Sequence, residues 1–227
     1  MEQQMQQQQQ QVQWGDPMPA ASLLIASLCV GAWSLFAGQV PASNVPLFMS
    51  TVVGFGIALV IIAIICFRRG DVLGGTLNMA FGIIFALATG FSGIIQFVLP
   101  YFLGSVAKPP MTLPIIQIAP NISGWFILPG AVGLFFMTII VARMTWFLVG
   151  WVVLVSIAFG LSAIWMIIGA PGITDPSQPI HNDLINISGW LFLICGISML
   201  YFGIAGVVNT CAQKMVLPIG SPLIKHR

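Results

Sequence analysis

From Asn186 to Asn209 the chain reads Asn-Ile-Ser-Gly-Trp-Leu-Phe-Leu-Ile-Cys-Gly-Ile-Ser-Met-Leu-Tyr-Phe-Gly-Ile-Ala-Gly-Val-Val-Asn, with no charged residue. A helix rises about 1.5 Å per residue, so roughly 20 such residues cross the hydrocarbon core of a bilayer. Few other folds can accommodate a run of this length and polarity. Within it, Gly189, Gly196 and Gly203 recur every seven residues and form one narrow stripe almost without side-chain volume. In lipid, where hydrophobicity no longer drives helices together, such a stripe lets a neighbouring backbone approach closely. The opening Asn186-Ile-Ser-Gly-Trp190 also occurs earlier, as Asn121-Ile-Ser-Gly-Trp125. That repetition points to a chain built from copies of one unit.

The rest of the composition agrees. Of 227 residues 58% are hydrophobic and only 5% charged, against about 25% charged in a soluble protein. So few charges cannot cover the surface of a soluble domain, and the chain reads as a polytopic membrane protein. A net charge of +2, scattered along the chain, gives no footprint for nucleic acid. Cys29, Cys66, Cys195 and Cys211 lie in or beside apolar runs without a CxxC pair, which favours packing over metal or redox chemistry.

Residues 1–13 are nearly all glutamine and read as a disordered tail. No basic n-region of a cleavable signal is visible, so the first apolar helix is expected to target the chain. A six-helix transmembrane domain is expected over 14–220, and a short basic tail over 221–227. Apolar segments place helices near 20–37, 46–67, 73–99, 122–142, 146–169 and 187–208. The connections at Arg68-Arg69-Gly70-Asp71 and near Arg143 are tight, whereas those at 100–120 and 170–185 are longer and rich in proline. With six spans, Arg68, Arg69, Arg143, Lys214, Lys225 and Arg227 share one side and Lys108 alone lies on the other. The positive-inside rule then puts both termini in the cytoplasm of a multi-pass plasma-membrane protein. The duplicated Asn-Ile-Ser-Gly-Trp segments, 65 residues apart, start helices four and six, and Ser43-Asn44-Val45-Pro46 starts helix two more loosely. The fold expected is all-α: six transmembrane helices as three helix hairpins in parallel repeat.

Chemistry-bearing residues are sparse. Glu2, Asp16, Asp71, Asp175, Asp183, His181 and His226 all fall outside the middle of a span. No side chain at membrane depth can therefore act as a proton relay. A nucleophile–base pair, a metal-ligand cluster and a phosphate cradle are equally absent from the sequence, so neither catalysis nor a cofactor is expected. The neutral polar groups at depth are Thr76, Asn78, Thr138, Ser156, Ser162, Tyr201 and Asn209. Serine and threonine commonly bond back to their own helix. An asparagine deep in lipid needs partners, and Asn78 reads equally as pore-lining or helix-bridging. Thr76, Asn78, Tyr201 and Asn209 are the candidates for contact with a solute. Asn121, Ser123, Asn186 and Ser188 sit where N-caps belong, and the helix ends they mark would present a positive dipole to an incoming anion. The Asn-x-Ser pattern also matches a glycosylation acceptor, but both sites abut the membrane.

Gly189-Trp190, Ile194-Cys195-Gly196, Tyr201, Asn209 and Val216-Leu-Pro-Ile-Gly220 closely resemble the last helix and tail of the acetate uptake transporters, the succinate–acetate permeases of bacteria, archaea and fungi. Upstream, Arg69-Gly70, Gly74 and Phe81-Gly82 resemble that family's Lys-Gly-Asn-Thr-Phe-Gly segment and third helix, and Ala142-Arg143 its fifth-helix opening. Asp16-Pro17-Met18-Pro19 falls at its Asn-Pro-Ala-Pro signature. The resemblance implies six helices per subunit, a pore through each, a homohexameric ring, and uptake of acetate or, in some members, succinate. It also implies an apolar constriction of Phe, Tyr and Leu, which by position falls at Ile25, Phe81 and Val152. All three are trimmed here, so the resemblance implies a wider and less polar gate that still works by excluding water. The family's membrane-edge glutamates correspond to Gly206 and Cys66, which weakens coupling to protons through side chains. The solute expected is a small carboxylate anion or its protonated acid. The alternatives are a channel for a neutral solute such as ammonia and a structural or accessory subunit with a closed pore.

Overall fold

The computed structural model describes residues 16–92, 94, 112–142, 144–172 and 178–221, with the side chains of 43, 46 and 112–122 left aside. The glutamine-rich segment 1–13, Lys108, Arg143, Asp175 and the basic tail from 222 on lie outside the described residues. Among the described residues six long helices order along the chain as α1 Met18–Phe36, α2 Val45–Arg68, α3 Val72–Ser92, α4 Thr112–Val141, α5 Trp146–Ile167 and α6 Asp183–Ala212. All six contain a stretch long and apolar enough to cross a membrane.

Local chemistry sets the helix starts. Pro19 falls in the first turn of α1, where its missing N–H costs nothing. The Asp71 carboxylate accepts from Gly74 N at 2.8 Å to cap α3, and Thr145 accepts from Leu148 N at 3.2 Å to cap α5. Between α2 and α3 the chain turns through Gly70 at φ +81°, a conformation that favours glycine. The Arg69 guanidinium lies 3.5 Å from the Asp16 carboxylate and ties the lead-in of α1 to this turn.

Two helix starts differ from the sequence expectation. α6 begins at Asp183, capped by Asn182, whose side chain accepts from Leu184 N at 3.1 Å. Asn182 takes the cap because Asp183 then places an acidic group in the first turn, at the positive dipole end. Asn186 and Ser188 therefore lie inside the helix rather than at its cap. α4 begins at Thr112, so Asn121 and Ser123 also lie inside a helix. A loop was expected at 100–120; from Thr112 to Pro120 the backbone is helical instead, and 100–111 lie outside the described residues. Asn121 has helical backbone, but its side chain lies outside the described residues.

The closest packing joins each hairpin to the next: α2 to α3, α4 to α5, and α6 back to α1. Glycine makes each of these contacts. A methyl group added at Gly189, Gly196 or Gly203 would come within 2.6 Å of Ala37 N, 3.0 Å of Val30 Cγ2 and 2.9 Å of Leu23 Cδ2 respectively, all on α1 or its end. One at Gly124 would come within 2.5 Å of Ala163 O on α5, and one at Gly82 within 3.0 Å of Gly56 O across α2 and α3. The two copies of Asn-Ile-Ser-Gly-Trp thus use their glycine in the same way, each against the last turn of the first helix in the following hairpin. The result is a closed, cyclic order of three hairpins around a shared interior. Within α3, residues Phe81–Ala88 adopt a π-helix, and Thr89 Oγ1 donates to Ile84 O, five residues back, at 3.3 Å. A wider turn of this kind is frequent where a helix borders a functional site.

Candidate functional site: an axial cavity

Helical spacing turns one face of each odd-numbered helix to the interior. On α1 this face runs Ser22, Ile25, Cys29, Ala32 and Phe36, all buried, with Met18 half-buried below them. On α3 it runs Gly74, Asn78, Phe81 and Phe85, and on α5 it runs Val152, Val155, Ser156, Ser162 and Met166, with Phe159 half-buried among them. Between these faces lies a cavity of about 60 Å³ with lining side chains from all six helices. Ile25 and Cys29 come from α1, Met49 and Val52 from α2, Phe81, Phe85 and Thr89 from α3, Ile127 from α4, Phe159, Ser162 and Met166 from α5, and Phe192 from α6. A water needs on the order of 10–15 Å³, so the space accommodates only a few and not an open aqueous column.

Ile25 and Phe81, 5% and 3% exposed, line this cavity together at the end nearer the start of α1 and the end of α6. Val152 is 1% exposed and does not line it. It stands on the inward face of α5 seven residues before Phe159, about 10 Å nearer the end where α1 starts and α6 stops. Its neighbour Trp151 packs on Phe81 with ring centroids 5.5 Å apart and donates Nε1–H to Cys195 O at 3.2 Å. The structure thus brings two of the three expected residues together and sets the third below them.

The interior also holds residues that sequence reading missed. Phe81 and Phe85 are 5.4 Å apart, Phe85 stacks on Phe159 at 3.9 Å, Phe159 meets Phe192 edge-on at 5.0 Å, and Phe192 meets Phe36 at 6.1 Å. These rings form a continuous column along the cavity wall. The signal available was the four-residue spacing of Phe81 and Phe85 and the seven-residue spacing of Val152 and Phe159.

Most of the polar candidates lie elsewhere. Thr76 is exposed and donates to Val72 O at 2.7 Å, bonding back to its own helix. Tyr201 O–H donates to Pro218 O at 2.7 Å. Asn209 accepts at Oδ1 from Val216 N at 2.8 Å and Leu217 N at 2.9 Å, while its Nδ2 donates to Leu217 O at 2.8 Å. Both residues clamp the chain after α6 and neither lines the cavity. Ser123 Oγ donates to Ser92 Oγ at 2.9 Å, linking α4 to α3, and Ser188 Oγ donates to Ala158 O at 2.7 Å, linking α6 to α5. Asn186 lies one turn from Trp190, whose ring meets Trp33 of α1 at 5.9 Å. Asp16, Pro17 and Pro19 start α1: Asp16 accepts from Met18 N at 3.1 Å, and Pro19 Cγ lies 2.8 Å from where a side chain would begin at Gly206. Glycine at 206 therefore lets the start of α1 sit against α6. Among the candidates whose side chains are described, Asn78 stands on the inward face one turn below Phe81, beneath the cavity and not in its lining. It is 1% exposed, and its Nδ2 donates to Gly74 O at 2.8 Å and to Met18 Sδ at 3.5 Å.

Comparison with solved structures bears on what such an interior belongs to. The bacterial acetate channel SatP superposes with a TM-score of 0.69 over 92% of this chain and 100% of its own. The chain has the fold of SatP. Sequence identity to it is 20%, so the likeness carries the arrangement of the helices and not the identity of the lining residues. No protein-family model and no curated protein sequence matches the chain.

Proposed function

We propose that this chain is a membrane channel or transporter for acetate and related small monocarboxylates, with one pore inside each subunit. The observation that carries this reading is the axial cavity itself, to which all six helices of a single chain contribute, in a chain that shares its fold with a bacterial acetate channel. Ile25 and Phe81 form the narrow level of the pore, and Val152 continues it toward the termini. The side chains there are apolar, so the constriction works by excluding water rather than by binding an ion. Subunits assemble as a homohexamer, and both termini face the cytoplasm of the plasma membrane, as the bias of Arg68, Arg69 and Lys214 supports.

Proteoliposome swelling tests the proposal. Vesicles carrying the protein should swell faster than protein-free vesicles in acetate, propionate and lactate, because the trimmed constriction admits a bulkier acid. Swelling in acetate alone would remove the wider specificity, and no protein-dependent swelling would favour an accessory subunit with a closed pore. A second reading, passage of a neutral solute such as ammonia, draws support from a lining without charged side chains among the described residues.

A further inference from the structure

The polar groups of the interior share one property that bears on the charge state of the solute. Ser22 Oγ donates to Met18 O at 2.8 Å, Ser156 Oγ to Val152 O at 2.6 Å, Ser162 Oγ to Phe159 O at 2.9 Å, and Thr89 Oγ1 to Ile84 O at 3.3 Å. Each hydroxyl gives its hydrogen to its own helix and keeps only lone pairs for a further partner, and of the four only Ser162 and Thr89 line the cavity. The indole of Trp151 is likewise engaged, with Cys195 O. The unpartnered indole of Trp33 lies outside the cavity lining, against Trp190. Among the described lining residues the one remaining donor is the Cys29 thiol, which is a weak one.

Asn78 extends this pattern to the level just below the constriction. One amide hydrogen goes to Gly74 O and the other to Met18 Sδ, so both of its donors are engaged. Its Oδ1 is buried and has no hydrogen-bond partner. Exchanging the amide oxygen and nitrogen would set oxygen against the Gly74 carbonyl, acceptor against acceptor, so the Gly74 carbonyl fixes the orientation. A buried acceptor without a donor is unfavourable, and it is relieved by a partner that brings a hydrogen. Asn78 lies three residues before Phe81, and Met18 lies seven before Ile25. The pair therefore forms the next layer beneath the constriction on the same two helix faces.

A carboxylate has only acceptors and needs donors or a cation when it leaves water. An undissociated acid has one O–H to give. We propose that the species crossing the Ile25–Phe81 level is the undissociated acid, its O–H donated to Asn78 Oδ1, and that Asn78 thereby selects against the anion. The inference rests on the axial pathway proposed above and deepens it by assigning the protonation state of the solute and the residue that reads it.

The test uses full-length protein in proteoliposomes, with protein-free vesicles as the baseline for leak of the acid through lipid. Acetamide serves as a probe of the same shape that keeps a donor and carries no charge at any pH. Protein-dependent acetate flux at fixed total acetate should fall about tenfold for each pH unit above the carboxyl pKa, while acetamide flux stays level. Asn78→Leu should lower both fluxes about tenfold. Asn78→Ser, whose hydroxyl can donate to Gly74 O and still offer a lone pair, should restore most of the loss. An acetate current at pH 8 that reverses with the acetate gradient would overturn the inference, as would a pH-independent acetate flux or equal flux through wild type and Asn78→Leu. The wild-type pH and current arms need no variant, so they decide the matter even if Asn78→Leu does not fold. Absence of protein-dependent flux for acetate and acetamide alike would instead remove the pathway on which the inference rests.

Discussion

Asn209 holds Val216 and Leu217 through both ends of its amide, and Tyr201 reaches Pro218 from two turns earlier on the same helix. The motif that most strengthens the family resemblance is therefore a clamp that folds the chain after α6 back against the bundle, where Trp146 N also donates to Ser221 O at 3.0 Å. A partly exposed hydrogen bond contributes about 0.5–1.5 kcal/mol. Asn209→Ala is expected to lower stability by about 1–3 kcal/mol and to leave solute selectivity unchanged, as a melting curve and a competition uptake assay on one preparation would show. A changed preference among acetate, propionate and lactate would return Asn209 to the pore. Asn78 is a different case, because its surroundings engage its hydrogens and leave its oxygen buried without a partner. The type of residue marks both as notable in an apolar helix, but only the surroundings separate the two roles.

At the scale of the helices, much was legible before any coordinates. Length and apolarity mark all six spans, since lipid requires every backbone group to be bonded within a helix. The heptad spacing of Gly189, Gly196 and Gly203 announces a close neighbour without naming it. That neighbour is α1, far away in sequence, because the hairpins pack in a closed cycle. The errors came at polar boundaries. Asn186 and Ser188 look like caps, but Asn182 and Asp183 lie one turn earlier and serve that end better. Prolines near 114 and 120 look like a loop, yet the backbone there is helical. The π-helical turn at Phe81–Ala88 of α3 leaves no mark in the sequence, whose residues there are ordinary helix formers and small or aromatic side chains. Gly196→Leu tests the cyclic packing, since the Val30 side chain and Ala26 O leave no room for it. It is expected to cost about 1–3 kcal/mol through overpacking and to lower the melting temperature. Gly150→Ala, at a position open on all sides, should be nearly neutral. Equal effects from the two would contradict close packing of α6 on α1.

Across the whole molecule, two kinds of surface are arranged in opposite senses. Large apolar residues such as Phe126, Phe136, Ile139 and Ile197 face outward, as a lipid environment permits, while the interior gathers aromatic rings around a small cavity. The positions proposed for the constriction were accessible to sequence reading only through resemblance, because Ile25, Phe81 and Val152 come from three separate hairpins and share no local pattern. Their burial and the joint lining by Ile25 and Phe81 are what make a pathway inside each chain the central claim. Protein-dependent acetate influx into proteoliposomes, compared between wild type and Ile25→Trp of equal monodispersity, tests it most directly. The account predicts that the indole blocks the level shared with Phe81 and reduces influx at least about tenfold, as steric closure of an apolar constriction requires. Undiminished influx through Ile25→Trp would contradict it and place the route outside the axial cavity.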